Sequence, residues 1–328
     1  MFGGLSEKIE EKIKQLFAKT FIQTSVYYFA FSFILFLAML PFRFISYQVA
    51  RHFGTSTMQL SLWIRNRGID FLVDFILYMI IIHIVMYVIK KFPKKWWLVT
   101  WGLFIPFAFF FMFLQPVIID PLYNDFTNLQ NDNLELQILN MAQEAGIMAD
   151  SVFIMEVSDR TNTINGYVTG VGSTARIVLW DTALSALNED AIMFLMAHEI
   201  AHYVNHDIYR AIVVAIVFAF FGLFILAQIL KHQDRKSFKR IPLAFLVIGI
   251  LLFAFSPITN AISRHIEKSA DVFALELTND PEGGIELFQT LARTSLNEVN
   301  PPTLVRIFRS THPSIFERIR MLEDVLLD

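Results

Sequence analysis

Five stretches of this chain are long and apolar enough to cross a bilayer: roughly 21 to 42, 69 to 89, 97 to 118, 210 to 230 and 242 to 262. A hydrocarbon core needs about 20 helical residues, and inside it each backbone N–H and C=O must find its partner within the segment, so such stretches are helices. Composition agrees, since 55% of the 328 residues are apolar and 17% are charged, against roughly a quarter charged in soluble domains. The second stretch carries Asp70, Asp74 and His83. A carboxylate in lipid costs at least ~2.5 kcal/mol, so Asp74 either faces a protein interior or wet cavity, or lies with Asp70 at the interface where the helix begins.

Charge and cysteine usage exclude several classes. The formal net charge is −3, and Lys and Arg are scattered or gathered at the ends of apolar segments rather than forming a stripe, so nothing points to nucleic acid. Cysteine is absent, which removes disulfides, thiolate nucleophiles and cysteine-held metals and leaves His and carboxylates as the available ligands. The first residues mix Glu7, Glu10 and Glu11 with Lys8, Lys12, Lys14 and Lys19. They read as an amphipathic helix rather than a cleavable signal peptide, because no short apolar core with a small-residue cleavage site follows.

Between the third and fourth stretches, about 90 residues read as a soluble domain. Periodicity predicts a helix over 131 to 147 with Leu134, Ile138, Met141 and Ala142 on one face. A β-rich part follows: Val152 to Val157, a turn at Asn165-Gly166, Tyr167 to Val171, and Ile177 to Trp180. A helix is then expected from an Asn188 N-cap, favoured by Glu189 and Asp190 in its first turn, through His198 to about Asp207, with continuation into the fourth span left open. Helices near 263 to 278, 283 to 296 and 313 to 327 close the chain, with a break at Asp280-Pro281. The division expected is 1–120 for the N-terminal helix and three spans, 121–208 for the first segment of the soluble domain, 209–262 for a membrane hairpin, and 263–328 for the rest of that domain.

The chemistry lies in His198-Glu199-Ile200-Ala201-His202, an H-E-x-x-H pattern on a predicted helix. Residues four apart share a helical face, so both imidazoles can reach one ion while Glu199 is angled towards water bound to it. Zinc with three protein ligands and an open fourth position makes that water acidic enough for a carboxylate base. A third ligand can come from Glu267, in Ser263-Arg264-His265-Ile266-Glu267-Lys268-Ser269-Ala270-Asp271, and Asp271, one turn on, can accept from a ligand histidine and fix its tautomer. Two crossings separate His202 from Glu267, so the chain returns to the same membrane face and the three can meet. Exposed pairing of Glu267 with Arg264 or Lys268 is the competing structural role.

At these residues the chain resembles the type I CAAX prenyl endopeptidases and the related HtpX-type membrane proteases. Also similar to that family are Arg51-His52-Phe53-Gly54-Thr55-Ser56-Thr57 with Leu62-Trp63-Ile64, Pro121 to Thr127, Asn165-Gly166-Tyr167, Arg176 to Thr182, His312-Pro313 and Glu317-Arg318. The resemblance implies a mainly α polytopic membrane protein of about five transmembrane helices, with a gluzincin-type α+β zinc peptidase domain carrying a small β-sheet. It implies one zinc per chain on His198, His202 and Glu267, with Glu199 as base and His312 stabilising the oxyanion. Asn165 and Tyr167 would bind substrate backbone, and Asp271, Arg264 and His206 would support the ligands. Asn165 before Gly166 is equally a turn residue, and His312 before Pro313 equally a helix terminator. Two departures stand out: Gly166 occupies a position that is usually alanine in the eukaryotic members, and five spans replace seven.

The function expected is zinc-dependent membrane endopeptidase activity on membrane-associated or prenylated CAAX-type polypeptides, with HtpX-like membrane-protein quality control as the alternative. Other classes considered are a non-catalytic zinc-binding scaffold and a transporter using Asp70, Asp74 and His83. Peptide or protein substrate and the bilayer are the implied partners. Lys and Arg number thirteen on one set of membrane-flanking segments and seven on the other. That bias places the peptidase outside the cytoplasm, whereas the family resemblance places it inside.

Overall fold

The structure is a computed structural model and describes residues 4–114, 118–170, 175–231, 233–234 and 237–327. Along the chain run α1 (Leu5–Leu16), α2 (Thr20–His52), α3 (Leu60–Lys91), α4 (Trp96–Leu114), β1 (Asp125–Asn128), α5 (Asp132–Glu144), β2 (Val152–Glu156), β3 (Gly166–Thr169), β4 (Arg176–Trp180), α6 (Asp181–Ala186), α7 (Glu189–Val204), α8 (Asp207–Leu230), α9 (Arg240–Thr278), α10 (Pro281–Ser295), α11 (Thr303–Arg309) and α12 (Ile315–Leu327). They form two compact units, one of Met1–Tyr47, Ser61–Phe110 and Val213–Phe255, the other of Gln48–Leu60, Phe111–Ile212 and Ser256–Asp328.

The first unit holds the apolar helices. Among the described residues α2, α3, α8 and α9 are each long and apolar enough to cross a membrane, at 33, 32, 24 and 39 residues, and the apolar helix Trp96–Met112 is shorter. Residues 115–117 of the third expected span lie outside the described residues. The helices overrun the apolar stretches because polar flanks do not end a helix; even Pro41 in α2 and Pro257 in α9 lie within continuous helix. Asp70 pairs with Arg67 at 2.8 Å, and Asp74 is exposed rather than buried in the protein interior. The expected amphipathic N-terminal helix is α1, fastened by the buried Glu10, which accepts from Ser237 Oγ (2.9 Å) and Phe238 N (3.2 Å).

The second unit is built on a four-stranded sheet of order β1-β2-β4-β3, with β1 antiparallel to β2, β2 parallel to β4 and β3 antiparallel to β4. Its core joins α5, through the expected Leu134, Ile138, Met141 and Ala142, to the inner residues of β2 and β4 and to nearly every apolar residue of α7. The strand β1 and the helices α6 and α11 are additional to the expected elements. The expected turn at Asn165-Gly166 is absent: Gly166 opens β3 in register with Leu179. A Cβ there would stand 3.2 Å from Met196 Sδ and 3.3 Å from Val178 O, so the glycine serves close approach of strand to helix. Val171, expected to end this strand, is outside the described residues. The motif helix and the fourth span are separate elements, whereas the fifth span and the helix expected from 263 to 278 are one helix, α9.

α10 fastens α7 to α12. Phe194 and Phe288 meet edge-to-face at 5.9 Å, and Gly284 lets the helices close: a Cβ there would lie 2.6 Å from Leu322 Cδ1 and 2.7 Å from the Phe194 ring. Gly284→Ala therefore overpacks this junction and lowers stability by about 1–3 kcal/mol. A thermal melt of the detergent-solubilised variant that matches the wild type would contradict this packing.

Candidate active site

Two helices supply the site, and local signals place both. α7 starts where Asn188 accepts the Ala191 N–H at 2.9 Å, with Glu189 and Asp190 at its positive end. It presents His198 and His202 one turn apart on one face, and it stops at His206, whose left-handed φ of 57° breaks the helix. The break has a chemical effect. In an unbroken helix, residue 207 would lie about 140° around the axis from residue 202; past the break, Asp207 Oδ2 reaches His202 Nδ1 at 3.0 Å. α9 presents Glu267 and, one turn on, Asp271 Oδ1, which is 2.9 Å from His198 Nδ1 though off the line of an ideal hydrogen bond.

Each Nδ1 lies beside a carboxylate, and the neutral tautomer that points its Nδ1 proton there turns its Nε2 lone pair inward. The two Nε2 atoms face one another at 3.2 Å. Glu267 Oε2 lies 3.3 Å from His198 Nε2, and Glu267 Oε1 is 3.7 Å from His202 Nε2. Three inward lone-pair donors this close repel unless a cation stands among them. Bonds of about 2.0–2.2 Å at tetrahedral angles put ligand atoms roughly 3.3–3.6 Å apart, close to the 3.2, 3.3 and 3.7 Å separations here. Glu267 Oε2 is moreover buried with no hydrogen-bond partner. Among the described residues His198, His202 and Glu267 thus form a group fitted to a metal ion, their donor atoms all within 4.8 Å.

The surroundings set the charges. Burial disfavours the His198 imidazolium, but the adjoining Asp271 and Glu267 outweigh it and raise the pKa to about 9. Burial also opposes ionisation of Asp271, yet the Arg318 guanidinium, ion-paired to it in the core, holds the carboxyl below its ordinary range. Glu267 is depressed in the same way, burial being overcome by His198. Glu199 is raised, chiefly by burial.

The other expected residues are distributed around this cluster. His312 Nε2 stands 3.2 Å from Glu267 Oε2, with its side chain 54% exposed. Asn165 is exposed at the start of the edge strand β3, its Oδ1 accepting the Gly166 N–H at 2.9 Å, and Tyr167 packs on that strand against Met155. Arg264 reaches carbonyls of the segment before His312 rather than a ligand side chain. His206 is exposed beside Tyr209, and Asp207 makes the contact to His202. Asp207 and the Arg318 anchor of Asp271 were missed by local spacing. Only the Asn205-His206 pair hinted at a break, and nothing local links positions 271 and 318.

Residues 128–326 match the profile of Peptidase family M48, and residues 1–125 match that of the CAAX prenyl protease N-terminal region with five membrane helices. The chain belongs to peptidase family M48. Among M48 relatives, the uncharacterized metalloprotease YhfN of Bacillus subtilis is 40% identical over 98% of this chain and 78% of its own length. The CAAX prenyl protease 1 homolog of Oryza sativa is 29% identical over 69% of this chain and 56% of its own length. The crystal structure of S. mikatae Ste24p superposes with a TM-score of 0.84 at 25% identity, covering 96% of this chain and 79% of that one. This M48 protein is accordingly an integral, multi-pass membrane metalloendopeptidase acting on peptide or protein.

The His198 charge fixes a pH dependence for chelator-treated protein. A folded pKa of about 9 above an unfolded one of about 6.5 contributes stability that is complete below 6.5 and lost as pH rises through 9. Thermal midpoints of chelator-treated protein should fall across that window; midpoints that stay level or rise would show that this imidazolium is not held by the carboxylates.

Proposed function

We propose that His198, His202 and Glu267 hold one zinc ion and that this M48 protein hydrolyses peptide bonds at the membrane with Glu199 as general base. The observation that carries the reading is the pair of Nε2 atoms 3.2 Å apart, each imidazole backed by its own carboxylate. Zinc in a three-ligand site supplies an acidified water and a Lewis acid for the scissile carbonyl. Glu199 takes the proton of the attacking water and delivers it to the leaving amine. Burial raises the Glu199 pKa, which makes its carboxylate a stronger proton acceptor than an exposed one. Asp271 and Asp207 keep the two ligand histidines in the tautomer that directs Nε2 inward. His312, half-exposed at the site, donates to the developing oxyanion.

β3 is an edge strand in the order β1-β2-β4-β3, so an extended peptide can add to its outer side by main-chain hydrogen bonds, with Asn165 and Tyr167 flanking it. The relatives named CAAX prenyl protease suggest prenylated CAAX-type tails as the substrate class, with other membrane-associated polypeptides as the second. The peptidase domain then comprises residues 121–208 and 263–328, and the membrane domain comprises residues 1–120 and 209–262. Family resemblance favours a cytoplasmic peptidase face over the one that the Lys and Arg count suggests.

Glu199→Gln should keep zinc at the wild-type stoichiometry and lower kcat by about 10²–10⁴-fold, and a chelator should abolish wild-type turnover until zinc is returned. Digestion of a mixed peptide library with and without a farnesyl group, followed by mass spectrometry, distinguishes the substrate classes. Wild-type turnover by Glu199→Gln sinks the assigned base, and equal cleavage of both libraries sinks the prenyl preference.

A further inference from the structure

On α9, Asn260, Arg264, Glu267 and Asp271 recur at i, i+4, i+7 and i+11, a single helical face. Three of them grip the segment that carries His312. Arg264 donates from one terminal nitrogen to Arg306 O at 3.0 Å and Ser310 O at 2.7 Å. Asn260 Nδ2, a turn earlier, donates to Ile307 O at 3.1 Å. Beyond His312, Arg318 closes the buried ion pair with Asp271. The loop is therefore fastened to α9 on both sides of Glu267, and His312 bridges the interval with its Nε2 3.2 Å from Glu267 Oε2.

Apart from that contact with Glu267, the His312 side chain does little to hold itself. Its side chain is 54% exposed, and its Nδ1 shares a 2.9 Å hydrogen bond with the adjacent Thr311 hydroxyl. Its position is inherited from the backbone. On the upstream side that backbone is the seven-residue α11, which contributes no fully buried residue. A helix of that length is not stable by itself, and its last carbonyls need donors. Arg264 and Asn260 supply them, and a guanidinium bonded to carbonyl oxygens is a charge-assisted contact, stronger than a neutral one.

We propose that Arg264 is a positioning residue for the reaction: by clamping the Arg306 and Ser310 carbonyls to the helix that bears Glu267, it keeps His312 in register with the metal site. The inference rests on the role given to His312 above. It assigns to Arg264 a task carried out on the backbone of another segment, not on a zinc ligand.

A double-mutant cycle tests it, using the full chain in detergent and a cleaved peptide taken from the library. A misplacement of about 1 Å at a reacting group can cost about 100-fold. Arg264→Ala should lower kcat by roughly 10- to 100-fold with KM changed by less than about twofold and zinc content unchanged, and Arg264→Lys should recover part of the loss. In a His312→Ala background, Arg264→Ala should then cost less than about twofold, because the group it positions is gone. The proposal is overturned if Arg264→Ala keeps wild-type kcat, or if it costs the same factor with and without His312. Should Arg264→Ala lose zinc or fail to fold, the Arg264→Lys cycle is decisive by the same comparison. A fully active His312→Ala protein overturns the proposal through its premise, and is told apart because it fails before Arg264 is changed.

Discussion

Two imidazoles whose Nδ1 atoms both lie beside carboxylates turn both Nε2 atoms into one small volume, and the Glu267 carboxylate is directed there as well. That concentration of unscreened donors in a buried place is costly until a cation, or in its absence a proton on His198, takes the centre. Much of the second unit can be understood as holding it. α7 must present two histidines one turn apart and then stop, so that Asp207 can turn back. α9 must present Glu267 and Asp271 on the same face, and Arg318 must neutralise Asp271. Removing one member of that last pair would leave a buried charge uncompensated, at a cost of about 3–5 kcal/mol.

Packing behind the site is correspondingly tight where it matters. Met196, Phe194 and Ile200 of α7 are fully buried, and the glycine at 284 admits a helix where a methyl would collide, while the glycine at 166 spares β3 a tight contact with Met196 and Val178. The open side is different in character. Among the described residues β3 lies at the sheet edge, Asn165 and His312 are exposed, and α11 presents Leu304 at 72% exposure. A rigid back and an accessible front suit an endopeptidase, in which the candidate metal ligands must not shift as substrate comes and goes.

Relatively little of this required the fold to be seen. Apolar length named the membrane helices, and Asn188 with its two following acids named the start of α7. The spacing of His198 and His202, and of Glu267 and Asp271, was legible because 3.6 residues per turn makes a helical face a local property. The same locality misled at Asn165-Gly166. The pair is a good turn dipeptide, but β3 uses its glycine for clearance from Met196 instead. It also failed at the end of α7, where the apolar run into α8 hides a break at His206.

The sequence by itself determined that the chain is a membrane protein, that His and carboxylate alone could serve a metal, and which residues were candidates to do so. Each of these follows from hydrophobic length, residue chemistry or helical period, all of which are short-range. Only the tertiary structure decided that Asp207 backs one imidazole and Asp271 the other, that Arg318 meets Asp271 across 47 positions of sequence, and that the His312 loop is fastened to α9 around Glu267. Those contacts depend on where distant segments come to rest, and that is set by the joint packing of α7, α9, α10 and α12, not by the pattern of any one of them.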